Sequence, residues 1–304
     1  MMMTTIMENL RSDKVRNNLE HFLRLPVRRE SPVLAELDSF RIKLAGSPAE
    51  VKAAQRLRYR VFKEEQGRLK NCTGGLDRDR FDRYCRHLLV VDKAHDEVVG
   101  TYRVMSGREA AAAGSFYSEA EFMISGLSAI RDEVCEVGRS CVAPEFRSGA
   151  VVGLLWSGLA ALRRRPRPER SLLGGYARRC RPEASPAFHY LFGCVSLEDS
   201  DPVNAMAVYE YFCRRGMLSA KLAAKPRTGF ALDPVSREEA ARRAETIGEE
   251  LIRTLPPLFK GYLRLGAKIC GVPAYDRDFG AIDFLILLDM RDIPERYARR
   301  FLIG

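Results

Sequence analysis

The sequence predicts an α/β fold in which helices cover both faces of a mixed central sheet. Three observations lead there. The periodic segments run strand, helix, several strands, helix, strand, helix, strand, too irregular for a repeated βαβ unit, which disfavours a Rossmann arrangement. Cys135-Glu136-Val137-Gly138-Arg139-Ser140-Cys141-Val142 reads as a buried strand that turns at Ala143-Pro144 into Val151-Val152-Gly153-Leu154-Leu155-Trp156, the inner face of a helix. And 304 residues with 46% hydrophobic and 30% charged content suffice for a buried core.

Residues 1–35 mix charges with Pro26 and Pro32 and hold no period, so they are expected to form a loose arm before a domain at 36–290 and a tail at 291–304. Phe40-Arg41-Ile42-Lys43-Leu44 alternates strictly, as a strand does. Ser47-Pro48-Ala49-Glu50 starts a helix whose stripe of Val51, Ala54, Leu57, Arg58, Val61 and Phe62 puts Arg58 on the apolar side. The polar stretch Asn71 to Arg83 reads as a mobile loop over a site. His87-Leu88-Leu89-Val90-Val91 and Val98 to Val104 form a predicted hairpin, and Tyr117 to Ile130 is expected to be helical. After the strand at Val134 to Val142 comes a helix at about 148–162, then a basic insertion at 163–188. A strand at His189 to Ser196, helices at Asn204 to Arg214 and Ser236 to Arg253, and a strand at Asp283 to Leu288 follow, with 236–290 expected as a C-terminal lobe that completes the fold. Leu255 to Leu265, apolar and basic, suits either core or membrane contact.

Composition narrows the partners. Fifty Lys+Arg against 40 Asp+Glu give a formal charge of +10, which suits an acidic protein or an anionic lipid surface. No recognition motif or interleaved aromatics accompany the arginines, so nucleic acid is not an expected partner. Eight cysteines without a CxxC or a Cys/His ligand spacing read as reduced thiols in a cytoplasmic protein without a metal. The N-terminal Met-rich run lacks the order of a signal peptide, and no apolar stretch reaches the ~20 residues a bilayer span needs.

Four charges fall on otherwise apolar elements: Arg58, Arg103, Glu136 and Arg139. Buried, each needs a partner or a ligand. Asp79 and Asp82 could face the arginines, which leaves a structural ion-pair network and a ligand site both open. The strand, turn and helix at 134–162 place a helix N-terminus beside a strand end, a place for a phosphate or an oxyanion.

Arg58-Tyr59-Arg60-Val61-Phe62, Asp79-Arg80-Phe81-Asp82, Val99-Gly100-Thr101-Tyr102-Arg103 and Glu136-Val137-Gly138-Arg139-Ser140 follow the order and spacing of the acyl-homoserine-lactone synthases, relatives of the GNAT acyltransferases. With His87-Leu88-Leu89-Val90, Leu191-Phe192-Gly193-Cys194-Val195-Ser196 and Leu255-Pro256-Pro257-Leu258-Phe259-Lys260-Gly261-Tyr262-Leu263-Arg264-Leu265-Gly266, the chain more closely resembles the ornithine lipid N-acyltransferases, often labelled hemolysin-like, from about Phe40 to Leu288. The resemblance implies a GNAT-like fold. It also implies transfer of a fatty acyl group, usually 3-hydroxylated, from acyl carrier protein to the α-amino group of ornithine, giving a lyso-ornithine lipid.

Carried over by position, Glu136 and Arg139 become catalytic, and Arg58, Phe62, Asp79, Asp82 and Arg103 contact substrate. The backbone near Cys141-Val142 is implied as the oxyanion site; Cys141 as a nucleophile lacks a nearby His. Arg147-Ser148-Gly149 fits the GNAT pyrophosphate loop only in part, which is compatible with a carrier-protein donor whose 4′-phosphopantetheine arm bears one phosphodiester. Arg147, Gly149, Arg163, Arg164 and Arg165 are the expected contacts to that arm or its protein, and no resident cofactor is implied. Other readings stay open: glycine or another amino acid as acceptor, coenzyme A as donor, a lactone synthase, or a binding module without turnover. Peripheral contact with a membrane would suit a lipid product.

Overall fold

In the computed structural model the described residues are 33–68, 74–147, 149–163, 188–197 and 200–297. In chain order the strands are β1 (Val33–Leu37), β2 (Phe40–Leu44), β3 (Arg86–Asp92), β4 (Glu97–Ser106), β5 (Phe122–Ser125), β6 (Val134–Val142), β7 (Tyr190–Leu197), β8 (Ala223–Pro226), β9 (Lys268–Ile269), β10 (Ala274–Asp276) and β11 (Ala281–Asp289). The helices are α1 (Pro48–Tyr59), α2 (Gly107–Ala113), α3 (Ala150–Arg163), α4 (Pro202–Arg214), α5 (Arg237–Thr254) and α6 (Pro257–Arg264). The main sheet runs β1-β2-β3-β4-β6-β7-β11-β10, with β9 also on β11. Its described neighbours pair antiparallel except β6 and β7, which are parallel and joined through α3.

Period-two alternation gives this sheet two buried faces. Val104, Val137, Val195, Phe284 and Ile286 join the larger core with Leu57 of α1, Trp156 of α3, Phe212 of α4 and Phe259 of α6. Their alternates Met105, Phe192, Leu285 and Leu287 join a second core with Phe81, Phe116, Phe122 and Leu222. Leu154, Leu155, Leu159 and Leu162 of α3 are buried, and each such side chain stabilises by about 1.5–3 kcal/mol.

Local chemistry sets the helix ends. Ser47 Oγ accepts the Glu50 amide, with Pro48 in the first turn of α1. Ser106 and Glu109 form a reciprocal capping box on α2, which ends at Gly114 with φ +88°. α1 then widens into a π-helical turn at Arg60–Glu65, carrying Val61 and Phe62 inward.

Several expectations change. β1 begins at Val33, inside the span read as an arm; its pairing with β2 supplies the order that its own sequence lacks. Tyr117 to Ile130 is not a helix but a 3₁₀ turn, then β5, then one helical turn. β5 pairs with β8, and Gly126 turns the chain at φ +85° against the Lys221 carbonyl, so tertiary pairing overrides local propensity. The 74–83 part of the expected mobile loop is pinned by buried ion pairs, while 69–73 lie outside the described residues. Leu255 to Leu265 contributes α6 to the core, with Phe259 and Tyr262 buried. Most of the basic insertion, 164–187, lies outside the described residues. No described helix is long and apolar enough to cross a membrane.

Candidate active site

The site originates where β6 and β7 part. Their pairing covers only Val134–Glu136 against Tyr190–Phe192. At the next residue, Gly193, an added Cβ would stand 2.2 Å from the Val137 carbonyl oxygen, so the close approach that precedes the divergence requires glycine. On the other edge the β4–β6 register slips between Thr101 and Arg103, and Arg139 takes φ +52°. A cavity of about 470 Å³ fills the gap. Val61, Phe62, Leu155, Trp156, Leu258 and Phe259 give it an apolar end, while Glu136, Asp276 and Asp283 give it an acidic one.

Glu136 alternates with Cys135 and Val137 and so faces the second core. It is 5% exposed, and its carboxylate accepts the Tyr117 and Ser118 amides, each at 2.7 Å, and the Ser118 hydroxyl at 2.6 Å. Burial pushes its pKa above the ordinary carboxylate value, although Ser118, Tyr117 and Arg103 pull the other way. The partner that burial demands is therefore neither Arg139 nor an empty wish for a ligand: it is the 117–118 turn.

The arginines find the loop carboxylates. Arg58, fully buried, holds both oxygens of Asp82 at 2.9 Å and reaches Asp77 at 2.9 Å through Nε. Burial alone would raise the Asp82 pKa, but Arg58 holds it well below the usual range. Arg103 bonds Asp79 at 2.6 Å and Asp82 at 3.2 Å. Arg139 lies 3.4 Å from Asp77 and 3.8 Å from Asp79, with its guanidinium over the rings of Tyr117 and Phe279. Arg103, Arg139, Phe62, Cys141 and Val142 line the cavity; Arg58, Asp79 and Asp82 stand behind its wall as the frame that fixes the lining arginines.

Around the rest of the wall, Arg147 also lines the cavity, but its guanidinium is clamped on Glu65 at 2.6 and 2.7 Å and its Nε donates to the Val142 carbonyl. Gly149, at φ +101°, and Arg163, which donates to the Met290 carbonyl, are not lining residues; Arg164 and Arg165 lie outside the described residues. Burial pushes the Cys141 thiol up to about 12, which leaves almost no thiolate at neutral pH. Glu121, Cys194 and Asp283 bring one ligand atom each within 4.8 Å of one another, close enough to share a cation.

Comparison with known proteins then decides the family. Residues 57–157 match the model of the acetyltransferase (GNAT) domain. The chain is 35% identical over 278 residues to the L-ornithine N(alpha)-acyltransferase of Brucella abortus (strain 2308), covering 87% of this chain and 89% of that protein. It is 34% identical to the L-ornithine N(alpha)-acyltransferase of Agrobacterium fabrum (strain C58 / ATCC 33970), covering 87% of this chain and 86% of that protein. The chain belongs to the L-ornithine N(alpha)-acyltransferase family.

It is thus an acyltransferase with the GNAT fold. A more distant likeness, at TM-score 0.41 and 14% identity over 86% of this chain and 97% of the other, is to the crystal structure of TofI in a ternary complex with an inhibitor and MTA. Within this acyltransferase, sequence reasoning missed Tyr117 and Ser118, which hold Glu136, and the acidic group Glu121, Asp276 and Asp283. The first two carried no signal, since their role depends on a turn read as helix. Asp283 did carry one: like Glu136 it interrupts an apolar strand, Ala281 to Leu288.

Proposed function

We propose that this chain moves a fatty acyl group, 3-hydroxylated, from the thioester of acyl carrier protein to the α-amino group of L-ornithine, releasing a lyso-ornithine lipid. The observation that carries the reading is a buried carboxylate, Glu136, fixed by three donors on the wall of a cavity that opens between diverging strands. The acceptor is read from the names of the relatives. The carrier-protein donor is read from the family resemblance and from the +10 charge, which suits an acidic protein.

The chemistry follows from charge. An α-ammonium cannot attack a carbonyl until it loses a proton, and Glu136, with its basicity raised by burial, is the acceptor of that proton. The freed amine attacks the thioester carbon, and backbone amides of β6 beyond its last β7 pair at Glu136 stabilise the developing oxyanion. Collapse breaks the C–S bond. The nitrogen's second proton leaves with the thiol, so an amide and a free pantetheine thiol result. Neither a covalent enzyme intermediate nor a metal ion is needed. The apolar end under Trp156 and Phe259 accommodates the acyl chain, and contact with an anionic membrane follows from an amphipathic product and a cationic protein.

The test is incubation of purified protein with 3-hydroxyacyl carrier protein, or the matching acyl-coenzyme A, and a panel of amino acids, read by mass spectrometry. N-acylornithine from the carrier-protein donor is expected. A product with glycine alone, or from coenzyme A alone, would move the assignment to that acceptor or donor.

A further inference from the structure

The loop aspartates expected to contact substrate are consumed by Arg58, Arg103 and Arg139. A different acidic group is not. Asp283 of β11 is 5% exposed, lines the cavity, and its Oδ1 has no hydrogen-bond partner; Ser196 bonds the carboxylate elsewhere. Glu121, 2% exposed, likewise leaves Oε1 unpartnered. Asp276 lines the same cavity, its Oδ1 taken by the amides of Asp278 and Phe279. Among the described residues no ion pair joins Asp283, Glu121 or Asp276 to a lysine or arginine. Burial and repulsion from neighbouring carboxylates raise the Glu121 pKa and bring that of Asp283 to about 6, against a smaller opposing pull from Arg139.

Resting on the reading above, we propose that Asp283, backed by Glu121 and flanked by Asp276, seats the side-chain ammonium of the acceptor and so selects a diamino acid. The placement fits one short molecule with two amines. Ser118 Oγ is 2.6 Å from Glu136 and 3.4 Å from Cys194 Sγ, which in turn is 3.5 Å from Glu121, so base and acidic seat share one face of the sheet with Ser118 and Cys194 between them. The α-amine rests at Glu136, and the aliphatic chain carries the second ammonium to Asp283. An ammonium supplies three donors, two of which the orphaned oxygens Asp283 Oδ1 and Glu121 Oε1 accept.

The experiment compares L-ornithine with L-norvaline, the same carbon skeleton without the second amine, on the full chain and on Asp283→Asn. Calorimetric affinity and acyl transfer are both measured. The full chain is expected to favour ornithine by roughly thirtyfold, and Asp283→Asn to lose most of that ratio. Equal ratios in the two proteins, or no preference in the full chain, overturn the inference. So does a preference that vanishes on chelation, which would assign the group to a metal ion. Selective ornithine binding without any transfer supports the seat and sinks the proposed activity instead; transfer without preference does the reverse. Should Asp283→Asn fail to fold, Glu121→Gln reads the same ratio, and its retention there overturns the inference.

Discussion

At the scale of single residues, Glu136 is kept basic by burial and kept in place by Ser118. The Ser118 hydroxyl lowers the Glu136 pKa, so Ser118→Ala should raise it: the acid limb of the kcat/KM profile moves to higher pH, with kcat falling about tenfold. An unmoved limb in a pH-rate series contradicts that role. Arg58 and Asp82 make a different demand, because Asp82→Asn leaves a fully buried guanidinium short of its counter-charge. About 3–5 kcal/mol of unfolding free energy should be lost, read as a lower urea midpoint at constant slope. Sequence showed half of this. A charge inside an apolar segment marked Arg58, Arg103 and Glu136 correctly as buried and Arg139 as a half-buried neighbour, and the i, i+3 aspartates as partners of the arginines. It could not separate an arginine that frames the cavity from one that lines it, since that depends on which side of the wall a side chain leaves its element.

At the scale of elements, the decisive feature is the parting of β6 and β7, which rests on Gly193. A methyl group at 2.2 Å from the Val137 carbonyl must push the strands apart, so Gly193→Ala should cost about 1–3 kcal/mol and lower activity together, checked by thermal melts and acyl-transfer assays on the same preparation. Normal stability with normal turnover would deny the close approach its role. Long periodic elements were legible: β2, α1, the β3–β4 hairpin, β6, α3, α4 and β11 all stand within a few residues of their sequence pattern. β5, β8, β9 and β10 were not, because strands of two to four residues hold too little alternation and exist only through their partners. Reading Tyr117 to Ile130 as helix had a further cost, since it hid the turn that delivers two amides to Glu136.

For the molecule as a whole, folding spends stability on an acidic cavity wall. The Asp283 pKa rises from 3.8 to about 6, so the folded chain holds that proton more tightly than the unfolded one. Its stabilising contribution is complete below pH about 4 and is lost as pH rises through about 6. Asp283→Asn should therefore match the parent near pH 4 and exceed it by about 3 kcal/mol at pH 7, measured by denaturant unfolding at both values. A uniform loss at both would make Asp283 a packing residue. Fold class was legible because the order of elements survives in the sequence; the two-ended cavity, apolar under Trp156 and acidic at Asp283, was not, because it is assembled from strands far apart in the chain. The most direct measurement on the central claim is single-turnover acyl transfer to L-ornithine by Glu136→Gln, with the fold verified by near-UV circular dichroism. The rate is expected to fall roughly 10²–10⁴-fold and no longer to rise with pH; a folded variant that turns over at the parent rate with the parent pH profile would rule out Glu136 as the base.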